Sequence, residues 1–163
     1  MKKIAIIALV AFASSARVLE TQQQALATLG PTTRQTFFLT KEQLAAAKQE
    51  SGIDIRDALV VRYVATNGMT AYFDSHRVRT EPETVMIVVD ANGAISRIDI
   101  LSFDEPTDYF PKRRWLDQFL HRHLDKDLSL KGAIRPMSGA SLTGTAIVNA
   151  SRKTLAIHHL LPR

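Results

Sequence analysis

Residues 58–77 read ALVVRYVATNGMTAYFDSHR, and this stretch predicts a β-hairpin. Its first half, Ala58 to Thr66, is rich in valine, leucine and tyrosine, which favour strands. The Asn67-Gly68 pair that follows is the strongest short signal for a hairpin, because both residues tolerate a positive φ. Met69 to Arg77 is therefore expected to return as the antiparallel partner.

A second hairpin is expected directly after the first. Thr84 to Val89 is a run of β-formers, Asp90 to Gly93 supplies turn residues, and Ala94 to Phe103 returns with partial alternation. With a further strand predicted at Arg34 to Leu39, the chain should form an antiparallel sheet of about four or five strands.

Helical segments are predicted around these strands. They are residues 20–29, Thr40 to about Glu50, a segment opened by Pro111 with Trp115, Leu116, Phe119 and Leu120 on its apolar stripe, and a final helix bearing Ile147, Ala150, Ile157 and Leu161, whose last residues could also form a strand. The second segment has a capping-box pattern in Thr40 and Gln43, and Gly52 is expected to stop it. The predicted fold class is α+β: a curved antiparallel sheet built of hairpins, with helices packed on it.

The N-terminus has the pattern of a secretory signal. Met1-Lys2-Lys3 precedes an apolar run at residues 4–13 and small residues before Ala16. Residues 1–16 are interpreted as a signal peptide, with cleavage after Ala13 as a second option and an uncleaved anchor or a buried first strand as alternatives. Export to a periplasm or the cell exterior is expected.

The charge balance and the cysteine count exclude several classes of function. The chain has 21 Lys and Arg against 16 Asp and Glu, a net charge of +5, and removing residues 1–16 takes away two lysines and no acid. The remaining +3 is mild and the arginines are scattered, so no nucleic-acid partner is predicted. The absence of cysteine excludes disulfides, thiolate metal sites and a cysteine nucleophile.

The segment Ser138-Gly139-Ala140-Ser141-Leu142-Thr143 is the best candidate for chemistry. It has hydroxyls and a glycine where a loop should enter the final helix. A helix start has free N–H groups and the positive end of the helix dipole, so it suits a phosphate. The simpler interpretation is an N-cap with a flexible approach to the helix.

This segment resembles the flavin-attachment motif of the FMN-binding domain family, found in Rnf-type and sodium-translocating NADH:quinone reductase complexes. That family has Ser/Thr-Gly-Ala-Thr, and its last hydroxyl carries FMN through a phosphoester. The order of elements over residues 58–160 is also similar: hairpins, an acidic-proline loop at Glu105-Pro106, a tryptophan helix, the hydroxyl motif and a final helix. The chain is most similar to small exported, stand-alone members.

The resemblance implies a domain organisation and a function. Residues 58–163 would be the FMN-binding domain, and residues 17–57 a helical and strand extension in the same compact unit. FMN would be attached to Ser141 by a separate flavin transferase, with Thr143 as the second candidate. The protein would carry electrons to or from a periplasmic or membrane redox partner rather than act as a stand-alone enzyme.

The resemblance also implies a set of cofactor-binding residues. They are Glu105, Tyr109, Phe110, Arg135, Ser138, Gly139, Ala140, Ser141, Leu142 and Thr143. The chain departs from the family in three ways: the Gly-Leu-Gly of the acidic-proline loop is absent, Arg135 replaces an Asp, and the acceptor is serine. Non-covalent FMN therefore stays open, including a small reductase that uses it, as does a cofactor-free periplasmic binding or accessory module that keeps the fold.

The sequence does not support a hydrolytic triad or a histidine metal site. Asp74 and His76 would share a strand face with Ser75 on the opposite one, and no nucleophile elbow surrounds the serine. The pairs His121/His123 and His158/His159 lack i, i+4 ligand spacing. No catalytic or metal-binding residue is assigned.

Overall fold

The computed structural model describes residues 18–162 and shows an antiparallel sheet of five strands in the order β1-β2-β3-β4-β5. The predicted signal peptide at residues 1–16 lies outside the described residues. The strands are β1 (Thr32–Phe38), β2 (Leu59–Ala65), β3 (Thr70–Val78), β4 (Glu81–Val89) and β5 (Ile95–Phe103). Each strand pairs with its neighbour in the sequence, so the α+β class and the antiparallel sheet are confirmed.

The hairpins differ from the prediction at one turn. The hairpin predicted at Asn67-Gly68 is present: Ala65 N donates to Met69 O across a loop of residues 66–68, in which Gly68 has φ +84°. However, β3 and β4 also form a hairpin, because β4 begins at Glu81 rather than at Thr84. Its two-residue turn contains Arg79 at φ +52°, a conformation that a non-glycine residue seldom adopts.

One helix precedes the strands, one lies between β1 and β2, and two follow β5. They are α1 (Gln22–Ala27), α2 (Lys41–Ser51), α3 (Arg113–Leu116) and α4 (Ser141–Leu160). The capping box at the start of α2 is present: Thr40 Oγ1 accepts from Gln43 N, and Gln43 Oε1 accepts from Thr40 N. Gly52 ends α2 in the left-handed conformation at φ +74°. None of the helices in residues 18–162 is long and apolar enough to span a membrane.

The helix predicted from Pro111 is shorter than expected. It consists of α3 and one 3₁₀ turn, Asp117–Phe119. The chain leaves the helical path at Leu120 because the next residues pair with the start of β5: His121 N donates to Ile95 O, and Ile95 N donates to Arg122 O. The apolar stripe still points inward, since Leu116 and Phe119 are buried in the core.

The main core lies on the sheet face that α2 and α4 cover. Alternate residues of β4 and β5 point into it, and Ile147 and Leu155 of α4 meet them there. Helix α4 is also tied to its surroundings by Arg152, whose guanidinium donates to three backbone carbonyls, those of Ser51, Asp125 and Leu128. A smaller apolar cluster covers the opposite face, where Ala25 of α1 packs.

Candidate functional site

The start of α4 is uncapped and solvent-exposed. Ser141 is the first residue of this 20-residue helix, and its N-cap, Ala140, makes no side-chain capping bond. Ser138 does not supply one either, so the N-cap interpretation of the hydroxyl motif is wrong. No acceptor among residues 18–162 bonds to the N–H groups of residues 141–143, and the first turn holds no acidic residue. The helix therefore begins with free donors and no negative side chain.

The hydroxyls of the motif lie in different environments. Ser138 and Ser141 are exposed, whereas Thr143 is 2% exposed and points into the protein. Gly139 has φ +75°, which lets the chain turn into the helix. Leu142 is 48% exposed beside Ser141. A reagent arriving from solvent therefore meets Ser141 and not Thr143 at the helix start.

Trp115 and Gln118 hold the loop that leads into α4 through its residue Arg135. Trp115 Nε1 donates to Arg135 O at 2.7 Å, and Arg135 N donates to Gln118 Oε1 at 2.8 Å. Gly144 lies beside the indole, where an added Cβ would be 3.4 Å from Trp115 Cζ2, an ordinary contact distance. The loop before Ser141 is thus held by two hydrogen bonds, while the Arg135 side chain stays exposed.

A cleft of about 340 Å³ runs along α4, and we call it the α4 cleft. One wall is a single face of α4, the other is the end of β3, and the segment after α2 closes it. The lining residues are Ile53, Asp54, Asp74, His76, Arg77, Val78, Arg79, Leu142, Thr145, Ala146, Asn149, Ala150 and Lys153. At 1.5 Å per residue, the helical wall extends about 16 Å from Leu142 to Lys153.

Four charged side chains form a connected group at the end of the α4 cleft away from Ser141, and we call them the His76 network. His76 Nδ1 lies 2.8 Å from Asp74 Oδ1, and His76 Nε2 lies 3.0 Å from Glu83 Oε2. Lys153 Nζ of α4 forms an ion pair with the second oxygen of Asp74. Asp74 and Glu83 are buried, at 6% and 1% exposure.

This arrangement changes the pKa values of two members. Burial disfavours the charged imidazolium, but the hydrogen bonds and charges of Asp74 and Glu83 outweigh it and raise the pKa of His76 from 6.5 to about 9. For Asp74, burial opposes ionisation, but the bond to His76 and the charge of Lys153 outweigh it and lower the pKa. At neutral pH His76 is therefore a cation held between two carboxylates.

Ser75, which lies between Asp74 and His76 in the sequence, is not part of the network. Ser75 points to the other sheet face, where its hydroxyl lies 3.0 Å from Thr84 Oγ1, so it cannot reach His76. Within residues 18–162 no group of three metal-ligating side chains is arranged to hold an ion. Glu83 and Lys153 were not singled out from the sequence. Knowledge of the β3–β4 hairpin would have identified Glu83, because it pairs directly with His76.

The predicted acidic-proline residues Glu105, Tyr109 and Phe110 do not line the α4 cleft. Arg79 does line it, and its guanidinium lies over the ring of Tyr109 at 5.3 Å. Phe110 instead packs edge-on against Phe103 at 5.2 Å and lines a separate apolar recess. Glu105 is 8% exposed, and its Oε1 is buried with no hydrogen-bond partner in the described part of the chain.

No protein-family model, curated protein or solved structure matches this chain. Its function is therefore inferred from its own residues and their geometry.

Proposed function

We propose that this protein is an exported FMN-binding electron-transfer protein, with an FMN-binding-domain-like fold and FMN joined by a phosphoester to Ser141. The observation that carries the proposal is the position of Ser141: an exposed hydroxyl at the uncapped start of a 20-residue helix, next to Leu142, which lines the α4 cleft. A separate flavin transferase would load the cofactor. The proposed export depends on the predicted signal peptide at residues 1–16.

The helix start suits the phosphate of FMN. Three free backbone N–H groups and the positive end of the α4 dipole favour an anion there, and no carboxylate in the first turn opposes it. Arg135 precedes Ser141 by six residues, and its exposed side chain adds positive charge to the same loop. These features support phosphate binding even without the Asp that the family has at this position.

The α4 cleft suits the remainder of the cofactor. Its volume of about 340 Å³ falls in the range of small-molecule sites, and it begins beside Ser141 at Leu142. Apolar side chains such as Val78 and Ala146 alternate with polar ones such as Thr145 and Asn149, a mixture that can contact both a sugar-alcohol chain and an aromatic ring system. Bound FMN would supply the redox chemistry, while the protein would fix its position and potential.

The attachment chemistry requires only the serine hydroxyl of this chain. The Ser141 Oγ–H would pass its proton, through a base of the transferase, to the departing AMP, while Oγ would form a bond to the FMN phosphorus of FAD. The bond between that phosphorus and the AMP oxygen breaks, and AMP leaves. The free N–H groups of residues 141–143 would then face the phosphoester oxygens.

The test is to co-express the full chain with a flavin transferase in a bacterial periplasm and to measure intact mass and peptide masses. We expect an FMN-phosphoryl adduct on the peptide that contains Ser141. Ser141→Ala should abolish the adduct and Ser141→Thr should restore it. Thr33→Ala is the control, since it removes an exposed hydroxyl of β1 outside the motif and outside the α4 cleft and should leave the adduct intact.

Other outcomes would change or reject the proposal. An adduct mapped to Thr143 would retain the function but require the first turn of α4 to open, since Thr143 is buried. Colour that is lost on denaturation would indicate non-covalent FMN. A colourless, unmodified protein that also fails to bind added FMN would refute the redox function and favour a cofactor-free accessory module.

A further inference from the structure

The two ends of the α4 cleft have different chemistry. The end beside Ser141 contains Leu142 and a helix start, whereas the far end contains Asp74, His76 and Lys153. Lys153 follows Ser141 by 12 residues of continuous helix, so the two Cα atoms are about 18 Å apart along the axis. A group attached to Ser141 and lying along α4 would therefore extend toward the charged end.

The charged end is pre-organised by its own contacts. The His76 ring is held on both nitrogens, by Asp74 at 2.8 Å and by Glu83 at 3.0 Å, and these carboxylates come from two adjacent strands. Asp74 is shared with Lys153, which joins the sheet to α4. Because each side chain is fixed by a partner, the charges stay at defined places in the cleft without a ligand.

The charges of the four members of the His76 network balance one another. Its two cations, His76 and Lys153, are balanced by Asp74 and Glu83. Asp54, on the segment after α2, also lines the cleft but pairs with Lys48 and Arg56. The remaining lining charges are Arg77 and Arg79 at the end of β3, both positive. Removing one member of the network therefore changes the net charge of the cleft by a full unit.

We infer that Lys153 and Asp74 set the reduction potential of a flavin held in the α4 cleft, with Lys153 favouring the reduced form and Asp74 opposing it. The inference rests on the proposed function. Reduction adds two electrons, supplied by a protein electron donor, and one proton, taken from solvent, so the reduced ring carries one more negative charge. A fixed positive charge beside the ring stabilises that form, and a fixed negative charge destabilises it. No covalent bond to either residue forms or breaks.

The test is a redox titration of flavinylated protein, with flavin occupancy measured by intact mass for each variant. We expect Lys153→Met to lower the reduced-to-oxidised ratio at a fixed potential about tenfold, which corresponds to about 30 mV for a two-electron couple. Asp74→Asn should shift the ratio in the opposite direction, and Lys153→Arg should restore the wild-type value. Lys126→Met is the control, since it removes an exposed lysine outside the cleft.

The opposite signs separate electrostatic tuning from structural damage, because damage would move both variants in the same direction. A fully flavinylated Lys153→Met protein with an unchanged potential would overturn this inference and leave the proposed function intact. Wild-type protein that carries no flavin would overturn the proposed function, and this inference with it. Circular dichroism of each variant would check that α4 remains folded.

Discussion

Because the half-buried His76 holds its proton in the folded state, the protein should become less stable as the pH rises above 6.5. The His76 side chain is 18% exposed and lies between Asp74 and Glu83. These partners raise its pKa from 6.5 to about 9, so the folded protein binds the His76 proton more tightly than the unfolded chain does. The stability from this site is fully present below pH 6.5 and is lost as the pH rises through about 9.

The magnitude follows from the size of the pKa shift. Each unit corresponds to about 1.4 kcal/mol, so the shift of His76 contributes about 3 kcal/mol to the free energy of unfolding at pH 6. Asp74 acts at the other end of the pH scale. Its lowered pKa adds stability above its unfolded value of 3.8, and this part is lost as the pH falls into the acid range.

The assay is urea unfolding of the wild type, His76→Gln and His123→Gln between pH 6 and pH 10. Relative to His76→Gln, the wild type should lose about 3 kcal/mol of unfolding free energy over this range. His123 is exposed, so His123→Gln should follow the wild-type curve. Parallel curves for the wild type and His76→Gln would refute the assignment of a trapped proton to this histidine.

Three further substitutions test the packing and capping described above by chemical denaturation. Gly132→Ala should destabilise by about 2 kcal/mol, because its Cβ would lie 2.5 Å from the backbone oxygen of Asp127, and an unchanged midpoint would contradict that close approach. Thr40→Ala should cost about 1 kcal/mol through loss of the bond to Gln43 N, and a neutral result would mean that the cap is not formed in solution. Phe38→Ser should change the unfolding free energy by less than about 0.5 kcal/mol, since Phe38 is 77% exposed, and a larger loss would indicate that this ring is covered.

Local sequence signals predicted most of the fold because the same residues begin and end the helices and turns of the structure. The capping box at Thr40 and the left-handed Gly52 bound α2 as expected, and the Asn-Gly pair specified the β2–β3 turn. The β3–β4 turn could not be predicted in this way, since Arg79 adopts φ +52° without a glycine or asparagine to mark it. There the pairing of two long strands determines the turn rather than the turn residues themselves.

The length of the helix after Pro111 was predicted wrongly for a different reason. Its apolar spacing correctly indicated that Leu116 and Phe119 face the core. The spacing could not show that His121 and Arg122 hydrogen-bond with Ile95, which lies far away in the sequence. A non-local backbone pairing of this kind ends a helix without leaving a local signal.

The candidate site could likewise be predicted only where it depends on local sequence. The exposed Ser141 at a helix start follows from local sequence, since a hydroxyl motif precedes a helical run. The His76 network does not, because Lys153 meets Asp74 only when α4 packs on β3. Charged pairs between distant segments carry no periodic pattern, so Lys153 resembles a surface lysine in the sequence.

The hydrogen bonds of Arg152 oppose local unfolding of the regions that they join. Its guanidinium joins the middle of α4 to the end of α2 and to the segment at residues 125–128. Loosening either segment would leave a charged group with unsatisfied donors, which discourages partial opening. We therefore expect the amides of these three regions to exchange with solvent as one cooperative unit. The wall of the α4 cleft would then fluctuate only together with a large part of the molecule.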